Sequence, residues 1–101
     1  MCPRGQEQVI TKTDKKTKRP PMFRVLLHND DYTTMEFVVA ILESVFHKPR
    51  VEAAQIMWHV HTRGVGTAGI YTAEIAETKV KTVHGLAREA GFPLKCSMEP
   101  E

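Results

Sequence analysis

The spacing of apolar residues changes abruptly at His28-Asn29-Asp30-Asp31-Tyr32, and no other feature restricts the possible folds as much. Before the break, Met22 to Leu27 is a short apolar run with Phe23, Val25, Leu26 and Leu27, which reads as a strand. After it, Phe37, Val38, Ile41, Leu42, Val45 and Phe46 share one face at helical spacing. The break itself is made of turn formers. Thr33-Thr34-Met35-Glu36 fits a capping box, with Thr33 as the N-cap and Glu36 at the third helical position. Lys48-Pro49 ends this helix, because Pro49 disfavours helical geometry at Lys48.

The rest of the chain alternates in the same way. A second helix is predicted from about Val51 to Thr62, with Ala54, Met57, Val60 and His61 on one side and Gly64 at its end. Val65 to Tyr71 is β-branched and glycine-rich, a strand with an irregular start. A third helix begins near Thr72-Ala73-Glu74. Its small-residue stripe, Ala76, Val80, Val83, Ala87 and Ala90, suits close packing on a sheet, and Gly91-Phe92-Pro93 stops it. Leu94 to Met98 is the last strand. The order β-α-α-β-α-β predicts an α+β fold: a small three-stranded antiparallel sheet with three helices on one face.

Charge divides the chain in two. Residues 1–21 carry six basic and two acidic groups, a net of +4; residues 22–101 carry eight basic and ten acidic groups, a net of −2. The first segment has few apolar groups and reads as a disordered extension, leaving residues 22–101 as one core domain. A nucleic-acid module usually carries its positive charge on the folded part, so no nucleic-acid partner is expected. There is no apolar run of about 18 residues and no signal-like start, so no membrane partner is expected and a cytoplasmic setting is. Cys2 and Cys96 form no metal-ligand spacing and suggest no disulfide framework.

Two motifs invite chemistry that their context denies. Gly64-Val65-Gly66-Thr67-Ala68-Gly69 spells a dinucleotide-binding fingerprint. That fingerprint needs a strand before it and a helix opening within it, and here the order is reversed. A glycine-rich turn into a strand explains it. His59-Val60-His61 places two imidazoles about 200° apart on a helix, so they cannot share a metal. No cofactor, metal or catalytic residue is expected, and the chain is not read as an enzyme.

Asn29-Asp30-Asp31 has two readings. Locally it is an Asx-type turn whose acids also complement the helix dipole at Thr33. Read together with the second helix it becomes part of a pocket. Met57, Val60 and His61 lie at i, i+3 and i+4, one patch with two apolar groups beside a polar one. Met35 and Val38 form a similar patch at the start of the first helix. If the two patches face each other, they enclose an apolar pocket with Asn29, Asp31 and His61 at its rim. That suits an ammonium group beside a large apolar side chain, as at a polypeptide N-terminus. Neutral His61 accepts a hydrogen bond and its protonated form cannot, so binding should weaken at acidic pH.

The stretch Val25-Leu26-Leu27-His28-Asn29-Asp30-Asp31-Tyr32-Thr33-Thr34-Met35-Glu36-Phe37-Val38 resembles the ClpS family of protease adaptors. So do Ile56 to His61, Tyr71 to Lys79 and Phe92-Pro93-Leu94, and the similarity covers about residues 20–101. The resemblance implies a bacterial adaptor that binds substrates with N-terminal Leu, Phe, Tyr or Trp. It delivers them to the AAA+ unfoldase ClpA, or ClpC, working with the ClpP peptidase. Asn29, Asp31 and His61, with Asp30 close by, would hold the α-amino group. Thr33, Met35, Val38, Met57, Val60 and Leu94 would line the side-chain pocket, with Met35 as a gate against β-branched residues. Glu74 and Lys79 match the unfoldase-docking face, and residues 1–21 match a mobile extension used in delivery. The rival within this resemblance is a docking regulator that does not read N-termini. Departures from the family pattern are Thr34 where proline is usual, expected to loosen the helix start but leave the cap intact, and Ala68 where cysteine is usual, a packing change. Trp58 and His59 are expected beside the pocket helix on its other side. The segment Glu89 to Leu94 is similar to the second of two paralogue types.

Overall fold

The most apolar strand takes the central place. In the computed structural model, which describes residues 19–101, β1 (Met22–His28) pairs antiparallel with both β2 (Val65–Thr72) and β3 (Lys95–Pro100), in the order β2-β1-β3. Side chains alternate across a strand, so Val25 and Leu27 are fully buried while Arg24, Leu26 and His28 occupy the other face. On that outer face Arg24 pairs with Glu99 at 3.0 Å, and His28 Nε2 lies 2.7 Å from Ser97 Oγ. Of the extension expected over residues 1–21, residues 1–18 lie outside the described part.

Three helices complete the described residues: α1 (Met35–Ser44), α2 (Arg50–Arg63) and α3 (Ala73–Ala90). Their buried residues join Val25 and Leu27 in one core: Val38, Ile41 and Leu42 from α1, Ala53 and Val60 from α2, Ala76, Val83 and Ala87 from α3. The α+β architecture and the element order are those expected from the sequence.

Several local expectations are corrected. The N-cap of α1 is Thr34, whose side chain accepts from Phe37 N at 3.1 Å. Thr33 is instead held in the preceding turn, where its backbone N and its hydroxyl both donate to Asp30, each at 2.7 Å. Glu36 is therefore at the second helical position and no capping box forms; the cap comes from Thr34 itself. Helix α1 also stops at Ser44, short of Lys48. The chain reverses through His47, whose φ is 55°, and Lys48 N donates to Leu42 O at 3.0 Å; Val45 and Phe46 still reach the core from this turn. In α2 the buried alanine is Ala53, and Ala54 is exposed. In α3 the stripe ends at Ala87, with Ala90 exposed. The irregularity of β2 lies within the strand: Val25 pairs with Gly69 and Leu26 with Thr67, leaving Ala68 as a bulge. The bulge lets Ala68 and Tyr71, an odd number of residues apart, reach the same core.

Two glycines of the rejected fingerprint have structural work. Gly64 ends α2 at φ 89° with its N–H donating to Val60 O. Gly66 lets α2 lie against β2: a β-carbon there would stand 2.7 Å from Val60 Cγ2. Val60 is β-branched on a helix and has little rotamer freedom to retreat. Gly66→Ala is therefore expected to destabilise the fold by about 1–3 kcal/mol through overpacking. Gly85→Ala, inside α3 with nothing within 4 Å of the added carbon, should stabilise it by about 0.5–1 kcal/mol. Urea unfolding of the two variants checks both signs.

Candidate functional site

The turn after β1 is built by one carboxylate. Asp30 Oδ1 accepts from Tyr32 N at 2.8 Å and Thr33 N at 2.7 Å, and Oδ2 accepts from the Thr33 hydroxyl at 2.7 Å. Asn29 N donates to Gly64 O at 2.8 Å, which ties this turn to the end of α2. The start of α1 and the last turns of α2 thus meet across the end of β1.

Between them lies a cleft of about 230 Å³ lined by Asn29, Asp30, Asp31, Thr33, Met35, Val38, Met57, Val60 and His61. Val38 and Val60 form a buried floor, Met57 is half-buried, and Met35 is 40% exposed. Asn29, Asp31 and His61 are exposed at the mouth, and their side chains have no hydrogen-bond partner among the described residues. Their acceptors are free for a ligand, whereas those of Asp30 are spent on the turn. A drug-sized ligand needs about 300–1,000 Å³, so this cleft suits a single side chain.

Nine of the ten residues expected at the amino-binding rim and pocket are brought together here. Leu94 is not: it is buried at 4% exposure in the core, immediately before β3. Trp58 also differs from expectation. It lies beside His61, ring centroids 5.5 Å apart and planes at 36°, and not on the far side of the helix. The i, i+3 spacing in the sequence carried that signal. His59 does point elsewhere, towards Gly66 and Thr67 on β2.

A second, larger groove of about 590 Å³ runs between the end of α1 and the exposed face of α3. Ser44, Val45, His47, Glu74, Ile75, Thr78, Lys79, Thr82 and Leu86 line it. Glu74 is exposed there, and so is Ile75 at 48%. Lys79 is tied inward: its ammonium donates to Val45 O at 2.6 Å and lies 5.5 Å from the Tyr71 ring centroid. Sequence reasoning found Glu74 and Lys79 through the family resemblance but not Ile75, an apolar residue exposed in the first turn of a helix.

Other reactive groups do not converge on either site. Among the described residues no three His, Cys, Asp or Glu side chains come together as a metal site. The His28–Ser97 pair lies on the outer face of the sheet, where burial and the nearby Lys95 charge hold the imidazole below its ordinary value. Cys96 is buried, and burial pushes its thiol up to about 12. No helix among the described residues is long and apolar enough to cross a membrane.

A cleft for one side chain with free acceptors at its mouth, on a small α+β scaffold, defines a binding protein. Residues 18–97 match the family described as ATP-dependent Clp protease adaptor protein ClpS. The chain is 67% identical over 93 residues to the ATP-dependent Clp protease adapter protein ClpS of Desulfatibacillum aliphaticivorans, covering 92% of this chain and 89% of that one. It is 58% identical over 95 residues to the ClpS of Myxococcus xanthus, with the same coverage of 92% and 89%. The solved structure of Agrobacterium tumefaciens ClpS2 bound to L-phenylalaninamide superposes with a TM-score of 0.79 at 41% identity, covering 82% of this chain and all of that one. The chain belongs to the ClpS family of Clp protease adaptors.

The Asp30 turn gives a pH-dependent prediction. Burial raises the Asp30 carboxyl, but the hydrogen bonds from Thr33 N, the Thr33 hydroxyl and Tyr32 N outweigh it and hold the group below its ordinary value. A carboxylate depressed in the folded state stabilises fully above its unfolded value, about pH 4, and loses that contribution as pH falls through the folded value. Asp30→Ala should cost about 1–3 kcal/mol at neutral pH. The gap between wild type and variant in urea unfolding should narrow in the acid range below about pH 4.

Proposed function

We propose that the protein is an N-degron adaptor: it binds the free N-terminal residue of a substrate when that residue is Leu, Phe, Tyr or Trp. It then hands the substrate to an AAA+ unfoldase of the ClpA or ClpC type, paired with the ClpP peptidase. The observation that carries this is the meeting of three free acceptors, Asn29, Asp31 and His61, at an apolar cleft lined by Met35, Val38, Met57 and Val60. L-phenylalaninamide, the ligand of the Agrobacterium tumefaciens ClpS2 structure, has the chemistry of an N-terminal residue: a free α-ammonium, an apolar side chain and an amide in place of the carboxylate.

The mechanism is differential hydrogen bonding. The α-ammonium presents three donors to the amide oxygen of Asn29, the carboxylate of Asp31 and a ring nitrogen of neutral His61. Each bond to a charged group contributes about 1.5–3 kcal/mol. Burying a Leu or Phe side chain against Met35, Met57, Val38 and Val60 contributes about 1.5–3 kcal/mol more. The gross of roughly 6–12 kcal/mol, less association costs, is compatible with a micromolar or better site. Acetylation removes the charge and two donors and leaves Asp31 without a counter-charge, so the site selects free N-termini. Met35, exposed at the mouth, acts as the gate against β-branched side chains.

Unfoldase docking is assigned to the α3 groove. Glu74 and Ile75 supply its exposed charged and apolar contacts, and Lys79 shapes it by holding the Val45 turn. Helix α1 begins at the cleft with Met35 and ends at this groove with Ser44, ten residues or about 15 Å away. A substrate and an unfoldase can therefore be held at the same time. The first described residues, Arg19–Pro21, enter β1 at its Thr72 side, next to the start of α3. On this reading residues 1–18 serve in delivery to the unfoldase. The adaptor works in the bacterial cytoplasm on this reading.

Anisotropy of labelled peptides differing only in residue one tests the assignment. Leu, Phe, Tyr and Trp peptides should bind, and acetylated Leu should bind at least about tenfold more weakly. Equal binding of Leu and acetyl-Leu would leave only the rival reading, a docking regulator blind to N-termini. Asp31→Ala and His61→Ala should each weaken the Leu peptide about tenfold or more. Glu74→Lys should reduce unfoldase association with Leu-peptide affinity unchanged, and Asp31→Ala should do the reverse.

A further inference from the structure

Trp58 is the sole tryptophan of the chain, and 56% of it is exposed. It contributes nothing to the core cluster. What it does touch is the imidazole of His61, one helical turn further on, with ring centroids 5.5 Å apart and planes tilted by 36°. Successive residues on a helix turn by about 100°, so from Met57 at the cleft, His61 lies about 40° round and Trp58 about 100° round in the same sense. Val60 lies about 60° the other way, towards the core. The indole thus flanks His61 on its solvent side, at the outer lip of the cleft.

His61 needs such a neighbour. It is exposed, and no hydrogen bond among the described residues fixes its ring. An imidazole free to rotate presents its acceptor nitrogen to a ligand only part of the time, and ordering it on binding lowers affinity. Tilted aromatic contacts have a preferred geometry and favour one ring orientation. We propose that Trp58 is a positioning residue for substrate binding, its indole holding the His61 imidazole in the orientation that accepts from the α-ammonium. This rests on the N-degron reading above. Indole and imidazole act as one unit, with Val60 behind them closing the floor.

A double-mutant cycle read by peptide anisotropy tests it. Trp58→Ala should weaken Leu-peptide affinity about three- to tenfold, and Trp58→Phe, which keeps an aromatic face, should restore most of it. In a His61→Ala background Trp58→Ala should have no further effect. An equal loss in both backgrounds, or unchanged affinity of Trp58→Ala, overturns the proposal while leaving the N-degron reading intact. Trp58 emission supplies an independent readout in the wild type. It should change saturably with the Leu peptide and stay constant with acetyl-Leu, and no change at saturating Leu peptide also overturns the proposal. If wild type binds no free N-terminal peptide, the underlying reading fails with it. Because the side chain is more than half exposed, the alanine variant should keep the wild-type unfolding midpoint, and the Phe variant tests the contact even if it does not.

Discussion

The close approach of α2 to β2 at Gly66 sets the position of the other parts of the site. With no side chain there, Val60 rests directly on the strand, and the next positions along the helix are fixed in turn. Met57 and Val60 enter the cleft, and His61 reaches its mouth. The bond from Asn29 N to Gly64 O then fastens the end of β1 to the end of the same helix. The two walls of the cleft are more than 30 residues apart in sequence, yet the backbone bond from Asn29 to Gly64 and the contact of Val60 with Gly66 hold them together.

Asp30 and Thr34 divide a task that a single capping box would have performed alone. Asp30 closes the turn with three hydrogen bonds, and Thr34 begins the helix one residue later. This shift has a functional side. A carboxylate occupied by its own turn is a poor ligand acceptor, so the neighbouring Asp31, exposed and without a partner among the described residues, is the carboxylate left with free acceptors at the cleft. Two adjacent aspartates thus take separate parts, one in the fold and one in the site.

Helix α1 links the cleft to the groove on α3, with its first residue at one and its last turn at the other. Lys79 braces the groove end. Its ammonium accounts for the Val45 carbonyl, which the end of α1 would otherwise leave without a partner, and it lies beside the Phe46 and Tyr71 rings. A lysine matched to a docking surface by resemblance thereby also holds the turn that forms one wall of that surface. A loss of docking on removing it would combine both effects, so Glu74 is the cleaner probe.

Apolar period determined much of this protein before any tertiary contact. The apolar run of β1 and the helical stripes of α1 and α3 dictated the elements, their order and the α+β class, since each must bury one face. The turn chemistry of Asn29-Asp30-Asp31 marked the site, and Met57, Val60 and His61 were legible at i, i+3 and i+4. Only the folded chain decided the finer points, because they depend on which of two equivalent local partners is reached first. Thr33 or Thr34 could cap α1, and the Asp30 carboxylate took Thr33. Ala53 or Ala54 could face inward, and the contact with Gly66 fixed the rotation of α2. Leu94 matched a pocket position by resemblance, but the entry into β3 turns it into the core. The i, i+3 spacing that brings Trp58 onto His61 was present in the sequence, but that spacing is shared by many uninformative pairs. Its meaning came from the cleft that α1, held by Thr34, closes over α2.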